Sequence, residues 1–151
     1  MTVDRSFVEL NRAATDRMRA LAARLTDEEM QRPVGEHWTV AIVFAHLAFL
    51  DRRARYVLDA TEREGKVINP DYNVFVNDLS LPLWAAIPPR TAARLAIETA
   101  EALDQRLETY PLDLLELIHA EYKRYVFRAY HRTEHLDEAV VALNTVRRPA
   151  A

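Results

Sequence analysis

The sequence of 151 residues lacks cysteine and is poor in glycine. Without cysteine there can be no disulfide bond, thiolate zinc site or cysteine nucleophile, so any metal ion must be bound by histidine, aspartate or glutamate. Gly35 and Gly65 are the only glycines, and both lie where a periodic segment breaks. Long apolar runs are also missing, since the longest, residues 39–50, is too short to span a bilayer.

A basic excess is missing as well, because the formal net charge is -3. This argues against a protein that binds nucleic acid. The first residues, MTVDRSFVEL, do not show the basic region and apolar stretch of a secretory signal. We therefore expect a cytoplasmic protein with no nucleic-acid or membrane partner.

Apolar residues make up 50% of the chain, which is enough for a core, and the length suits a single domain over residues 1–151. In the first half of the chain, their spacing of three and four predicts two long helices. The first covers residues 4–25. The second starts near residues 38–39, with Thr39 as its N-cap, and ends at residue 64 before Gly65.

The second half begins with a long connection, residues 65–89, which contains four prolines and many apolar and aromatic residues. We expect it to pack against the protein, with a short helix over residues 78–86. A third helix is predicted over residues 91–109 and a fourth over residues 113–143, where the pattern allows a break near His119. The expected fold is all-α, a four-helix bundle with the long connection between helices 2 and 3.

The motif HRTEH places His131 and His135 four residues apart, so a helix presents both rings on one face, close enough to share a metal ion. Chance pairs at this spacing are common, and the pair alone fits two solvent-exposed histidines equally well. Both lie about half a turn from the apolar stripe of the predicted fourth helix, which favours a groove at the rim of the bundle or the solvent. This stripe consists of Tyr122, Val126, Ala129, Thr133, Leu136, Val140 and Leu143.

His46 lies in the most apolar stretch of the sequence. An unpaired imidazole there would lose its hydration without compensation. It is either a core histidine bonded to a carbonyl or a tyrosine, or a third ligand that meets His131 and His135 from the opposite helix. Three imidazoles would leave coordination positions open, which is typical of a catalytic ion and not of a structural one.

Two stretches resemble signatures of the DinB/YfiT-like superfamily. HWTVAIVFAHLAFLDRRAR, residues 37–55, resembles its second helix, and RAYHRTEHLDEAV, residues 128–140, resembles its last helix. Between them, residues 76–108 are similar to bacterial members related to mycothiol-dependent maleylpyruvate isomerases. The resemblance covers nearly the whole chain. It implies an up-down-down-up bundle with one divalent metal ion bound by His46, His131 and His135.

Zinc suits these ligands best, and nickel, iron and manganese are alternatives. Because characterised relatives use a low-molecular-weight thiol such as mycothiol or bacillithiol, the resemblance implies a metal-dependent thiol S-transferase. The thiol would attack a small electrophile in a pocket walled by the long connection. Trp38, Asn77 and Trp84 are candidates for lining this pocket, and Arg128 is a candidate for holding a carboxylate of substrate or thiol. Candidates for orienting the imidazoles are Asp51, Glu134 and Glu138.

Other functions stay open at this point, namely a metal-dependent hydrolase on the same triad and a non-catalytic stress-response bundle that binds a metal or a small molecule. HRTEH also matches the motif of inverted zinc peptidases, but these take an acidic third ligand from well downstream, and only 16 residues follow His135. A homodimer is expected from the resemblance and from Tyr122, Tyr125 and Tyr130, although core packing explains these tyrosines equally well.

Overall fold

The computed structural model describes residues 3–146, and this part of the chain contains eight helices and one two-stranded sheet. The elements are α1 Phe7–Arg24, α2 Asp27–Met30, β1 Pro33–Val34, β2 Trp38–Thr39, α3 Val40–Glu64, α4 Phe75–Ala85, α5 Pro89–Thr109, α6 Leu112–Glu121, α7 Lys123–Val126 and α8 Ala129–Val146. The expected all-α class is confirmed. Among residues 3–146, no helix combines the length and the apolar composition needed to cross a membrane.

The predicted second helix is confirmed at both ends. The Oγ1 atom of Thr39 accepts a hydrogen bond from the backbone N–H of Ile42, which caps the first turn of α3. Gly65 ends the helix in the left-handed conformation, with φ +71°, a geometry that other residues rarely adopt. The apolar character of this helix also has the expected consequence, because its residues 40–47 are all buried.

The segment between α2 and α3 is more ordered than a plain connector. Strands β1 and β2 pair antiparallel, with Pro33 opposite Thr39 and Val34 opposite Trp38. Gly35 takes φ +67° in the turn between them, which suits glycine. The sequence gives no sign of this hairpin because each strand is only two residues long, too short for alternation to show. Its effect is to place Trp38 beside the start of α3.

The prediction of one helix over residues 113–143 is wrong. The chain forms three helices, α6, α7 and α8, with breaks at Tyr122 (φ -138°, ψ 65°) and Phe127 (φ -91°, ψ 75°), and His119 lies inside α6. The physical reason for the second break is a tertiary contact. Asn11 on α1 donates its side-chain amide to the carbonyl of Val126 and accepts from the backbone N–H of Ala129, both at 2.8 Å. These bonds satisfy backbone groups that the break leaves free.

The four longest helices pack against one another around the core. Helix α1 contacts α5 and α8, and α3 contacts the same two helices. One core cluster, centred on Phe44, Leu47 and Leu136, lies at the end of the protein that carries the hairpin. A second, centred on Phe7, Leu58 and Leu115, fills the other end. The up-down-down-up order of helix directions stays a prediction.

Candidate metal centre

The three predicted ligands lie together. His46 comes from the second turn of α3, and His131 and His135 lie one turn apart at the start of α8. One ligand nitrogen from each ring lies within 4.8 Å of the other two. The ring centroids are 4.6 Å apart for His46 and His135, 4.7 Å for His131 and His135, and 5.2 Å for His46 and His131. The folded chain therefore brings three imidazoles to one point.

The spacing of two of the donor atoms fits a metal ion. Nε2 of His46 lies 3.3 Å from Nε2 of His131. Zinc–nitrogen bonds of about 2.0–2.1 Å in a tetrahedral shell put two ligand nitrogens about 3.3 Å apart. The Nδ1 atom of His46 is buried and has no hydrogen-bond partner, so the core-histidine alternative, with a carbonyl or tyrosine as partner, finds no support.

The site keeps two of its imidazoles neutral, as metal ligation requires. Burial, followed by repulsion from His135 and Arg128, lowers the pKa of His46 to about 3. Burial and then the charge of Arg128 likewise lower the pKa of His131. Nη2 of Arg128 lies 3.3 Å from Nδ1 of His131. Because a guanidinium only donates, Nδ1 of the neutral His131 ring accepts in this contact, and the proton of the ring lies on Nε2.

Of the three acidic residues proposed to orient the imidazoles, one does so. Nδ1 of His135 lies 3.1 Å from a carboxylate oxygen of Glu138, an arrangement that leaves Nε2 free to bind a metal. Glu134 instead forms an exposed ion pair with Arg124 at 2.7 Å. It is therefore engaged away from the triad, which speaks against the peptidase alternative in which this glutamate activates water.

Two tryptophans wall the triad. The ring of Trp38, on the hairpin, lies 4.7 Å from that of His46 and stacks over His135 at 5.8 Å. Trp84, from α4, packs edge to face against His46, with ring centroids 5.2 Å apart. Both are sequence-predicted pocket residues. The third, Asn77, accepts a hydrogen bond from the hydroxyl of Tyr72, and no contact joins it to the triad.

An open cleft of about 810 Å³ reaches the triad at His135. One wall is the hairpin and its turn, residues 33–38, and the other is the outer face of α8. This differs from the predicted pocket, since the long connection does not line the cleft and contributes Trp84 on the other side of His46. The cleft walls are apolar except for His37, His135, Thr145 and the carboxylates Glu36, Asp137 and Glu138.

Arg128 belongs to a buried ionic network and is only 3% exposed. Its Nε donates to Oδ1 of Asp51 at 2.8 Å, and Nε of Arg132 donates to Oδ2 of the same carboxylate at 2.8 Å. Nη1 of Arg132 also donates to Asp104 at 2.9 Å, and burial raises the pKa of Asp104, an effect that Arg132 opposes. The burial of Arg128 and its pairing with Asp51 speak against the predicted contact with a substrate carboxylate.

Sequence reasoning missed this network. It treated Asp51 either as a candidate for orienting an imidazole or as a charge in solvent. One signal for its burial exists. Asp51 stands in the row Leu47, Asp51, Ala54, Leu58, whose other members are apolar and which is fully buried in the structure. A charged residue at a core position of a helix indicates a buried partner. Asn11 and Asp104 lie in amphipathic helices, and nothing in the sequence around them indicates that they take part in a buried network.

A comparison with protein families identifies the family of the chain. The sequence model described as mycothiol maleylpyruvate isomerase N-terminal domain matches residues 11–116, which is more than half of the chain. The match includes His46 and ends before His131 and His135. No curated protein and no solved structure matches significantly. The chain therefore belongs to the family of mycothiol maleylpyruvate isomerase N-terminal domains, within the DinB/YfiT-like superfamily.

Proposed function

We propose that the protein is a metal-dependent enzyme that transfers a low-molecular-weight thiol, of the mycothiol or bacillithiol type, to a small electrophile. The observation that carries this is the meeting of three imidazoles beside an open cleft. Three protein ligands with access from solvent are typical of a catalytic metal site, whereas structural sites close their shell. Membership of a mycothiol-related family supports the choice of thiol.

Each residue of the site has a distinct part in this proposal. His46, His131 and His135 hold the ion, and Glu138 orients the ring of His135 through Nδ1. A bound divalent ion supplies the positive charge that lowers the pKa of a thiol at neutral pH. Trp38 covers the rings of His46 and His135 and keeps water from that side. With no cysteine in the chain, the nucleophilic sulfur arrives with the cosubstrate.

The helix contacts support the fold that the superfamily resemblance implies. Since α1 and α3 each pack against both α5 and α8, we take these four helices as the up-down-down-up bundle. In that arrangement the ion is bound between α3 and α8, two helices in direct contact, and the hairpin covers one side of it.

Metal content tests the site directly. We expect about one equivalent of divalent metal in the purified wild type and none in His135→Ala, because removal of one of three imidazoles leaves too few ligands. His37→Ala is the matched control, since His37 lines the same cleft but lies outside the triad. It should keep the metal of the wild type. Equal metal in all three proteins, measured by elemental mass spectrometry, would show that the triad is not the site.

Activity then separates the proposed reaction from the alternatives. With a fluorogenic electrophile such as monochlorobimane and a thiol, the metal-loaded wild type should form the thioether faster than His135→Ala or chelator-treated protein. Turnover of activated esters without thiol consumption would instead indicate the hydrolase on the same triad. A bound metal with neither activity would indicate the non-catalytic bundle.

A further inference from the structure

Helix α4 exposes an apolar stripe. Val74, Phe75, Leu79 and Leu83 have exposed fractions of 77%, 59%, 62% and 72%. The last three follow one another at four-residue intervals, so they lie on one side of the helix. The opposite side is anchored by Trp84, which is buried against His46 and Phe49. The stripe therefore points away from the metal centre.

This stripe is large enough to be a binding surface. Its four side chains expose roughly 450 Å² of apolar surface, a size at which a patch on a soluble protein commonly has a binding role. Two copies meeting through it, with their flanking residues, would remove about 1,000 Å² from water. That area reaches the lower limit of specific protein–protein interfaces and corresponds to a weak dimer.

The charges around the stripe narrow the choice of partner. Helix α4 carries no lysine or arginine, and its single charged residue is Asp78. A helix that binds the anionic surface of a membrane normally has basic residues on its polar face. The stripe also lacks the charges that would pair with a charged partner. An uncharged apolar surface is best matched by another of the same kind.

We propose that this stripe is the interface of a homodimer, formed by antiparallel pairing of α4 with α4 of a second copy. A two-fold interface requires a patch that is complementary to itself. The stripe meets this condition because Leu79 lies midway between Phe75 and Leu83. On the two-fold axis, Leu79 packs against Leu79 of the partner subunit, and Phe75 packs against Leu83 of the partner subunit.

This surface differs from the tyrosine-rich segment, residues 122–130, which together with the resemblance led to the sequence-based expectation of a dimer. The Tyr125 hydroxyl donates to Asn69 of the same chain at 3.0 Å, so that side chain is already engaged. The stripe also lies apart from the cleft, since none of its residues lines it. Dimer formation and metal binding can therefore be measured separately.

Sedimentation equilibrium tests the proposal on the full chain. We expect the wild type to dimerise with a dissociation constant in the roughly micromolar range. Leu79→Glu should be monomeric at the same concentrations, because it would place two carboxylates together on the axis. Leu112→Glu is the control: Leu112 is 44% exposed at the start of α6, where a carboxylate is well tolerated. It should dimerise as the wild type does.

The absence of cysteine allows a second test that needs no destabilising charge. Leu79→Cys introduces a single thiol, and a short bis-maleimide should cross-link it to a covalent dimer, whereas Leu112→Cys should form the same non-covalent dimer without being cross-linked. The proposal is overturned if the wild type is monomeric at a concentration of several hundred micromolar. It is equally overturned if Leu79→Glu dimerises normally, or if both cysteine variants cross-link alike.

Discussion

At the scale of single residues, His46 combines burial with a titratable ring. Its side chain is 3% exposed, and burial is the main reason that its pKa falls to about 3. In the unfolded chain a histidine has a pKa of about 6.5. Between these values, the unfolded state binds a proton that the folded state rejects. Acid therefore pulls the equilibrium toward the unfolded chain.

This predicts how the stability of the metal-free protein depends on pH. As the pH falls from 6.5 toward 3, His46 should reduce the free energy of unfolding by up to about 1.4 kcal/mol per pH unit. Above pH 6.5 its effect should vanish, because the ring is neutral in both states. The comparison is with His46→Gln, which keeps a polar side chain and removes the titration.

Urea unfolding at several pH values between 7 and 5, in the presence of a chelator, measures the difference. The wild type should lose stability more steeply than His46→Gln over this interval. Identical slopes would mean that His46 is not held neutral in the folded protein.

The three histidines of the candidate centre could be predicted from the sequence because their type and spacing suit metal ligands. His131 and His135 needed only a helical spacing, and the apolar stretch around His46 singled out that residue. The resemblance then favoured a ligand over a core histidine at position 46. Which acid supports the site could not be predicted in the same way. Asp51, Glu134 and Glu138 all lie near the ligands in sequence, and only the packing of the helices directs Glu138 to His135.

At the scale of elements, the cleft lies between the hairpin and α8, and their proximity could not be predicted from the sequence. The hairpin is short and its register depends on Gly35, and α8 begins only where Asn11 ends the preceding turn. The predicted apolar stripe of the last helix included Thr133 and Val140, but the buried row is Arg132, Leu136, Ala139 and Leu143. The prediction assumed one continuous helix, but the helix breaks at Phe127. Which side of α8 faces the core therefore could not be extrapolated from the residues before the break.

The charge of the cleft predicts which thiols it accepts. Its carboxylates are Glu36, Glu138 and Asp137, of which Asp137 is paired with Arg17 at 2.8 Å, and the residues that line it include no lysine or arginine. A surface of one sign repels ligands of that sign. If the protein is a thiol transferase, a neutral thiol such as mercaptoethanol or a cationic one such as cysteamine should have a higher kcat/KM than the anionic N-acetylcysteine.

Glu36→Gln should reduce the ratio of kcat/KM for cysteamine to kcat/KM for N-acetylcysteine by about two- to fivefold, the size expected of an exposed charge. Added salt should reduce this ratio too. Glu36 suits this test because its contact with His37 lies away from the triad, whereas Glu138 touches a metal ligand. An unchanged order of the three thiols in Glu36→Gln and at high salt would assign the preference to the shape of the site and not to its charge.

At the scale of the whole molecule, one ionic network joins four helices. Asp51 comes from α3, Arg132 from α8, Asp104 from α5 and Thr15 from α1, and Nη1 of Arg132 donates to both Asp104 and Thr15. Arg128 extends the network to His131. The four long helices and the histidine triad are thus connected by hydrogen bonds, which explains why charged residues occupy core positions here.

The network predicts an unusually damaging substitution, Asp51→Asn. It keeps the size of the side chain but removes the carboxylate that accepts from both Arg128 and Arg132, so that Arg132 keeps only Asp104 and Arg128 loses its carboxylate partner. Leaving a buried charge without its partner typically costs about 3–5 kcal/mol. Urea unfolding at pH 7 should show a loss of that order. Asp137→Asn, which breaks an exposed ion pair with Arg17, should cost about 1 kcal/mol or less.

A second substitution separates charge from packing. If the damage comes from the unpaired cation, Arg128→Met in the Asp51→Asn chain should recover part of the lost stability, because it removes one of the two guanidinium groups while keeping a long apolar side chain. Arg128→Met in the otherwise unchanged protein should be destabilising, because Asp51 loses one of its two donors. Additive effects in this double-mutant cycle would mean that the residues act independently, and the network would then be a packing arrangement without electrostatic coupling.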